Sequence, residues 1–390
     1  MDLSKLRESP IGTLVPIEGH DEQLREFSYF AFLPDPLPDE VVLGASTWTT
    51  VARASEALGR LDQACMTLPN PRLLIAPALA REALDTSALE GTYGALADIL
   101  EARLIDGRPR SPQIAEINAY ERMAHQAFDW VETRPITLNL LCDLQGVLAA
   151  ASVEPPRDPG EIRRHQVVIG PKGGKVYDAR YIPPPPDDRL RAGLDQWRAW
   201  TEASHPLPPA LKVAMAHYQF ESLHPFGDGN GRIGRLIILL QLLRDGVLKH
   251  PAITISAWLR PRRDEYQDLL LRLSETGDWN PWVSFISRAL HDQAIACVRV
   301  VNELNEWMTA TRQALNDRHW SGTVINILDD IATWPVITSP SVQGKYNVSA
   351  PTAKSAIDRL VEIGVLKRVA GENYLRRYMA PDVIAAVERL

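Results

Sequence analysis

The sequence predicts a mainly α-helical protein with one β-hairpin in its middle and a separate module of short helices and strands at its C-terminal end. Three observations support this fold class. Apolar residues recur at helical spacing over most of the 390 residues. One central segment instead alternates around a glycine-containing turn, and the pattern beyond about residue 320 changes to short helices followed by two strands. The length allows two or three domains, each with its own core.

Composition and charge exclude several classes of protein. Forty-nine acidic residues against 42 basic ones give a net charge of −7, so nucleic acid is an improbable partner for the chain as a whole. Cys65, Cys142 and Cys297 are far apart and lack metal-binding spacing, which predicts buried thiols in a reducing cytosol. The first residues contain no signal-peptide run, and the apolar stretch Leu236–Leu243 is interrupted by Gln241. We therefore expect a cytoplasmic protein without a membrane partner.

Three regions are predicted along the chain. Residues 1–40 contain scattered prolines and no sustained period, so we expect an extended arm, which with the helical stretch after it makes the region 1–110. A helical core follows over 111–300, and a linker helix with the C-terminal module covers 301–390. The main helices predicted in the core are Glu116–Val131, Leu138–Ala150, Leu190–Ser204, Pro209–Leu223, Asp264–Thr276 and Trp282–Ala296.

The segment 163–188 interrupts the helical pattern. Gln166–Ile169 and Lys175–Tyr181 are β-branched or alternating runs, and residues 171–174 between them contain two glycines, so the segment predicts a β-hairpin. Pro183–Pro186 then end the pairing, because proline lacks a backbone N–H and favours a stiff polyproline conformation.

The C-terminal module has an order of elements that is typical of a winged helix. Helices are predicted at Val324–Ala332, Ser339–Lys345 and Ala350–Ile363, and short strands at Val365–Val369 and Tyr374–Met379. The last part of this module has a net charge of +3 in an otherwise acidic chain, which permits contact with DNA but does not favour it. Docking of a substrate or of a second subunit fits the module equally well.

The segment His224–Arg235, with the sequence HPFGDGNGRIGR, carries the chemistry. Gly229 and Gly231 let the backbone come close to a ligand where a helix begins, and the N–H groups there attract an anion, most plausibly a phosphate chain. Arg232 and Arg235 lie three residues apart on one helical face, where both guanidinium groups can bind phosphate oxygens.

Two further side chains suggest how such a phosphate chain would react. Asp228 is a carboxylate beside the phosphate site, and Mg²⁺ is the natural bridge between a carboxylate and phosphates. His224 stands at the start of the loop, and we expect its pKa to lie near the working pH, so that the neutral imidazole can take a proton from a hydroxyl. These residues predict a transferase that acts on a nucleotide.

The same segment matches every position of HPFx(D/E)GNGRxxR, the signature of the Fic domain, and the chain resembles that family over about residues 45–300. The predicted hairpin is similar to the Fic flap, which pairs with the backbone of a target protein. Residues Thr86–Gly91, with the sequence TSALEG, resemble the (S/T)xxxE(G/N) inhibitory motif of Fic proteins that carry their own N-terminal inhibitory helix. A winged helix is a frequent companion of these domains.

The resemblance implies adenylylation, in which AMP moves from ATP to a Ser, Thr or Tyr hydroxyl of a protein. It implies that His224 is the general base and that Asp228 binds Mg²⁺. The implied phosphate-binding residues are Asp228, Gly229, Asn230, Gly231, Arg232 at the β-phosphate, Gly234, and Arg235 at the γ-phosphate. The implied flap residues are Val167, Val168, Ile169 and Gly170. Tyr266 is a candidate for contact with the adenine.

The resemblance also implies regulation. Glu90 would form an ion pair with Arg235 and so keep this guanidinium from the γ-phosphate, and Thr86, one helical turn earlier, would brace Glu90. Three alternatives stay open: removal of AMP, transfer of another phosphate-containing group, and a DNA-binding regulator that uses the Fic site as a nucleotide sensor. Gly231 favours AMP transfer, since phosphorylating relatives carry Lys there. The target protein is not specified, and self-association is left open.

Overall fold

The computed structural model describes residues 1–20, 26–66, 72–102, 111–170, 176–369 and 376–390. The protein is mainly helical, as predicted. In chain order the helices are α1 (Leu3–Arg7), α2 (Ala45–Met66), α3 (Arg72–Leu89), α4 (Leu96–Ala102), α5 (Pro112–Val131), α6 (Leu138–Ala149), α7 (Asp188–Glu202), α8 (Pro209–Leu223), α9 (Asn230–Arg244), α10 (Ile255–Leu259), α11 (Arg263–Thr276), α12 (Trp279–Asp317), α13 (Thr323–Asp330), α14 (Ser339–Tyr346), α15 (Ala350–Glu362) and α16 (Pro381–Glu388).

Helix α8 lies in the middle of the core. Nearly all of its residues are buried because it is apolar on every side and packs against α7, α9 and α12. The long helix α12 packs along α2 and closes the other side of the core, and it replaces the two shorter helices predicted over this region. Within the described ranges, no helix combines the length and the apolar character that crossing a membrane requires.

The N-terminal arm is more regular than predicted. It forms an antiparallel hairpin of β1 (Gly12–His20) and β2 (Glu26–Pro34). Its inner face packs on the return limb of the central hairpin, where Ile17 shares a small apolar cluster with Ile182. The prolines that favoured an irregular arm lie at or beside positions that do not interrupt this two-stranded pairing.

The central hairpin is shorter than predicted. Among the described residues it consists of one antiparallel bridge, between Ile169 and Tyr181, in which each main-chain N–H donates to the other residue's carbonyl. Residues 171–175, which include the predicted turn, lie outside the described residues. The return limb is interrupted by the short 3-10 turn Val176–Asp178 and then by the prolines, so a regular second strand does not form.

The C-terminal module contains α13, α14 and α15 together with a three-stranded sheet. The strands are β3 (Val336–Thr338), β4 (Lys367–Arg368) and β5 (Arg377–Met379), and β5 pairs antiparallel with both of the others. Strand β3 and helix α16 were not predicted, and the first two residues of the second predicted strand, 374–375, lie outside the described residues. The winged-helix interpretation stays a prediction.

Candidate active site

The loop between α8 and α9 places the predicted site residues together. His224 ends α8 in a left-handed conformation, with φ 49° and its N–H bonded to the Phe220 carbonyl at 2.9 Å. Gly229 has φ 86° and precedes α9, a conformation that glycine tolerates best. The Asn230 side chain closes the loop, since it accepts from the main-chain N–H of Phe226 at 2.9 Å and donates to its carbonyl at 2.8 Å.

The beginning of α9 offers N–H groups to a ligand. Gly229 provides no side-chain cap, so no capping side chain satisfies the donors of the first turn, which carry the positive end of the helix dipole. Two glycines leave room above this turn. A Cβ on Gly231 would collide with Glu90 Oε1, and a Cβ on Gly234 would collide with Glu221 Oε1. Each glycine therefore has a carboxylate seated over it.

His224 is half-buried and lies at the cavity beside α9. Its Nδ1 contacts the Glu221 carbonyl at 3.3 Å; because a carbonyl only accepts, Nδ1 carries the proton and Nε2 is left as a base. Burial, helped by the nearby Arg163 guanidinium, lowers the pKa of His224 to about 4. This value lies below the near-neutral pKa expected from the sequence, and the imidazole is neutral at pH 7.

Arg232 is turned towards α5. It is almost fully buried, and its guanidinium forms ion pairs with Glu116 and, at 2.8 Å, with Asp228. The Asp228 side chain is half-exposed, and its main-chain carbonyl accepts a hydrogen bond from Gln145 at 3.2 Å. Arg232 is thus held by the core on one side and by its own loop on the other.

Arg235 is turned towards the end of α3. Its Nε donates to Thr86 Oγ1 at 2.7 Å, and Nη2 donates to the Thr86 carbonyl at 3.1 Å and to Glu90 Oε1 at 2.6 Å. The predicted pairing of Glu90 with Arg235 is present. Thr86, however, binds Arg235 and makes no hydrogen bond to Glu90 in the described structure, so it braces the guanidinium and not the carboxylate.

Glu90 lies just beyond the end of α3, in a turn where Gly91 has φ 96°. Its side chain is 36% exposed, and it sits over Gly231 at the start of α9. Burial acts to raise the pKa of Glu90, but the Arg235 guanidinium overcomes this effect and holds it below its ordinary value. Glu90 is therefore an anion that occupies an anion-binding position.

A cavity of about 150 Å³ adjoins these groups. Ile169 of the flap and Tyr266 of α11 lie on its walls together with His224, Glu90 and Arg235. The predicted adenine contact, Tyr266, is only 5% exposed and its hydroxyl is hydrogen-bonded to His217 at 2.9 Å.

The other flap residues stand outside this lining. Val167 is half-buried, whereas Val168 and Gly170 are exposed, as a surface for a partner backbone would be. Phe226, in the same loop as His224, faces the core with 1% exposure.

Sequence reasoning missed the residues that hold the loop from outside it. Glu116 pairs with Arg232, Gln145 holds the loop carbonyl of Asp228, Arg163 binds the carbonyl of His224, and Glu221 lies over Gly234. None stands in the signature itself. The one available signal was that Glu116 and Gln145 interrupt apolar helical stretches, where a buried polar residue needs a partner.

The site fits a metal ion only in partnership with a ligand. No group of three or more metal-ligating side chains occurs in the described part of the chain. Asp228 alone offers a half-exposed carboxylate at the loop. Since Mg²⁺ commonly binds through one or two carboxylates and the phosphates of its substrate, this donor set fits Mg²⁺ that arrives with a nucleotide.

Comparison with known proteins finds relatives that are named protein adenylyltransferase Fic. Over 134 residues the chain is 36% identical to the protein adenylyltransferase Fic of Drosophila mojavensis, a match that covers 34% of this chain and 23% of that protein. Over 238 residues it is 28% identical to the protein of the same name from Drosophila virilis, covering 59% and 45%. The chain thus spans less than half the length of these curated relatives.

The fold is also similar to a solved one. A Fic family protein from Desulfovibrio desulfuricans G20 aligns with a TM-score of 0.54 and 21% identity, over 88% of this chain and 98% of that one, which supports the fold alone. Residues 48–129 match the Fic/DOC family N-terminal region, and residues 135–242 match the Fic/DOC family domain. The chain therefore contains the two regions of the Fic/DOC family, in this order, over residues 48–129 and 135–242.

Proposed function

We propose that this protein is a self-inhibited protein adenylyltransferase, which moves AMP from ATP to a Ser, Thr or Tyr hydroxyl of a target protein. The observation that carries the proposal is the Glu90 carboxylate bound to Arg235 over the uncapped start of α9, with a neutral His224 at the same cavity. A helix start that attracts anions, a buried cation and a base are the parts that phosphoryl-group chemistry needs. The relatives named protein adenylyltransferase Fic support AMP as the transferred group.

In the proposed reaction, Nε2 of His224 takes the proton of the target hydroxyl. The hydroxyl oxygen then bonds to the α-phosphorus of ATP, and the bond from this phosphorus to the bridging oxygen breaks, so pyrophosphate leaves. The proton ends on the imidazole and passes to solvent. A base of low pKa accepts a proton more readily once the negative phosphates are beside it, because opposite charge stabilises the imidazolium. General-base catalysis of this kind contributes about 10²–10⁴-fold.

The start of α9 would bind the phosphate chain. The N–H groups of Gly229, Asn230 and Gly231 would donate to its oxygens, and Gly234 keeps the next turn free of a side chain. Arg232 would bind the β-phosphate and Arg235 the γ-phosphate. Asp228 would hold Mg²⁺, which neutralises phosphate charge when it is bound.

The position of Glu90 supports the proposed self-inhibition. Its carboxylate occupies the guanidinium that the γ-phosphate needs, and it adds negative charge at the position of that phosphate. ATP would then bind with its phosphates displaced, and the α-phosphorus would miss the hydroxyl. Because Glu90 follows the end of α3 in a turn, it can move without unwinding the helix.

The flap would hold the target beside His224. Val168 and Gly170 are exposed next to the bridge at Ile169, and an extended peptide added there would be held mainly through its backbone. Cytoplasmic location, self-association and a role of the C-terminal module in DNA binding stay predictions. On α15, the exposed Lys354 is paired with Asp358 at 3.5 Å, which reduces the positive charge that this helix offers to DNA.

Labelling with radioactive ATP tests the proposal. The chain is incubated with Mg²⁺ and either α-³²P- or γ-³²P-ATP, as wild type, Glu90→Gly, and Glu90→Gly combined with His224→Ala. We expect weak α-labelling of protein in wild type, strong labelling in Glu90→Gly, and a loss of ~10²–10⁴-fold on removal of the histidine. His291→Ala, on α12 and outside the cavity lining, is the matched control and should label like its parent.

Each alternative function would give a different experimental result. Label from the γ position would mean phosphorylation and would refute AMP transfer. Release of AMP from a labelled protein by wild type, but not by Glu90→Gly, would indicate that removal of AMP is the main activity. Binding of duplex DNA that weakens with salt, together with absence of labelling in every variant, would favour the regulator.

A further inference from the structure

The end of α8 is capped by the flap. Carbonyl groups of four successive residues at this end all accept hydrogen bonds from two flap residues, Arg163 and Tyr181. Arg163 supplies three of the bonds, through its guanidinium and its main-chain N–H, and the Tyr181 hydroxyl supplies the fourth. The acceptors are the carbonyls of Ser222 at 3.0 Å, Leu223 at 3.4 Å, His224 at 2.8 Å and Pro225 at 2.9 Å.

Arg163 is an unusual residue to find in this place. It is 2% exposed, and within the described ranges its guanidinium forms no ion pair and donates only to carbonyls. Burial lowers its pKa to about 10, so the side chain is still a cation at pH 7. The last carbonyls of a helix lack partners within the helix and carry the negative end of its dipole, so a buried cation is stabilised there.

The bond to the carbonyl of His224 acts on the catalytic side chain. A non-glycine residue in the left-handed conformation is strained by about 1–3 kcal/mol, and it persists only where its surroundings hold it. Arg163 Nε holds the carbonyl of this strained residue at 2.8 Å, and the strained backbone places Nδ1 against the Glu221 carbonyl. The other end of the guanidinium donates to the Pro184 carbonyl in the flap exit at 2.5 Å. The flap and the histidine are thereby joined through one side chain.

We propose that Arg163 is a positioning residue for His224: by capping α8 it fixes the backbone and the tautomer that leave Nε2 free to act as the base. This inference rests on the proposed function for its kinetic consequence only. The phosphate-binding groups lie beyond Arg163 on α9, so the affinity for ATP does not depend on it. A misplacement of about 1 Å in a catalytic group is enough to lower turnover about 10²-fold.

Arg163→Lys and Arg163→Gln test the proposal in the Glu90→Gly background. Lysine keeps the charge but cannot reach carbonyls on both sides as a guanidinium does. We expect kcat to fall about 10–100-fold in Arg163→Lys and further in Arg163→Gln, with the Kd for ATP within about threefold of the parent. Arg164→Lys and Arg164→Gln are matched controls, because the neighbouring Arg164 is exposed and paired with Glu161, and they should keep the parental kcat.

The pH profile separates positioning from general stabilisation. Charged groups that bear on the pKa of His224 are Arg163 in the flap and Glu90 after α3, and Glu90 is already absent from this background. Removing the cation in Arg163→Gln should move the acid limb of the kcat profile to higher pH, whereas Arg163→Lys should leave it in place. A parallel loss of kcat and ATP affinity, an unchanged kcat, or unfolding of both variants would overturn the proposal.

One readout does not need turnover. In a ¹H–¹⁵N spectrum of the imidazoles at pH 7, assigned by comparison with His224→Gln, the His224 signals should report the Nδ1–H tautomer in the parent and a mixture of tautomers in Arg163→Gln. If Arg163→Gln shows this mixture of tautomers but Glu90→Gly does not label protein, the proposed function fails and the positioning role stands. If labelling occurs and the tautomer is unaffected by the substitution, the positioning role fails alone.

Discussion

The two sides of the start of α9 are built from the same parts and differ in how firmly those parts are held. Towards α5, Glu116 pairs with Arg232; towards α3, Glu90 pairs with Arg235. Both arginines are almost fully buried on one turn of α9. The Glu116 side chain is 10% exposed within α5, whereas that of Glu90 is 36% exposed and follows the end of its helix. The α5 side is therefore permanent, and the α3 side can open.

Under the proposed function, this difference would let Arg232 build the site while Arg235 regulates it. Movement of Glu116 would require α5 to move within the core. Movement of Glu90 needs only the turn at Gly91 to change, and turns at helix ends open at much lower free energy than buried helices. The chemistry of the two pairs is alike, so the location of the carboxylate decides its role.

The sharpest test of the comparison is the pair Glu90→Gln and Glu116→Gln, which remove one negative charge from each side. We expect Glu90→Gln to raise the rate of α-³²P labelling at least tenfold, because Arg235 is released for the nucleotide. Glu116→Gln should lower it about tenfold, because Arg232 loses the partner that orients it. Initial rates at saturating ATP measure both, and effects of the same sign would break the comparison.

The same two variants should also differ in stability. The charge-assisted bond between Glu116 of α5 and Arg232 of α9 contributes about 1–3 kcal/mol to the free energy of unfolding, so Glu116→Gln should lower Tm by several degrees. An ion pair whose carboxylate is more than one-third exposed is screened by water. Glu90→Gln should therefore lower the free energy of unfolding by less than about 1 kcal/mol. Urea unfolding at pH 7 measures both. Equal losses would mean that the α3 side is as firmly held as the α5 side.

The sequence was enough to predict that the glycines and charged residues of the loop lie close together, because they stand within twelve consecutive residues. The bounds of α8 and α11 were predictable as well, since the predicted ends lie within one residue of the observed ones, whereas the ends of α12 were not predicted. The pairing of Glu90 with Arg235 could be expected only because TSALEG resembles a known motif. Physical reasoning on single residues would have left Glu90 as an exposed helix residue.

Contacts between distant segments were not predictable. Arg163 and Arg164 are adjacent and identical in type, yet one caps α8 and the other pairs with Glu161 at the surface. Which of the two is buried depends on how the flap folds back, and a short irregular segment has no period that would show this. The N-terminal hairpin did carry a signal, the aromatic-rich run over residues 26–34, which the scattered prolines outweighed.

A smaller effect is expected from Thr86→Val. The substitution removes the 2.7 Å bond from Arg235 to the hydroxyl but keeps the bond to the Thr86 carbonyl and the pair with Glu90. One hydrogen bond contributes about 0.5–1.5 kcal/mol, so labelling should rise about two- to tenfold. Ser87→Ala is the control, since the neighbouring Ser87 hydroxyl is buried and has no hydrogen-bond partner among the described residues. A rise as large as that of Glu90→Gln would place the inhibitory contact at Thr86.

The smallest effect concerns the second carboxylate, Glu221, which lies over Gly234 as Glu90 lies over Gly231. Burial, with a contribution from the charge of Glu90, raises the pKa of Glu221 from its ordinary value of 4.5 to about 7, although Arg235 acts in the opposite direction. An acid that binds its proton more tightly when folded loses stability as pH rises, here between about 4.5 and 7, and the loss stays constant above that range.

Glu221→Gln therefore should match the wild-type Tm at pH 5 and exceed it at pH 8, because the amide has no proton to lose. Thermal melts across this range measure the difference curve, with Glu132→Gln, at an exposed helix end, as the control that should give a flat one. A difference that is constant with pH would mean that Glu221 is ionised throughout. It would then be a second fixed anion beside Arg235, so opening of the α3 side would leave that arginine with a carboxylate still facing it.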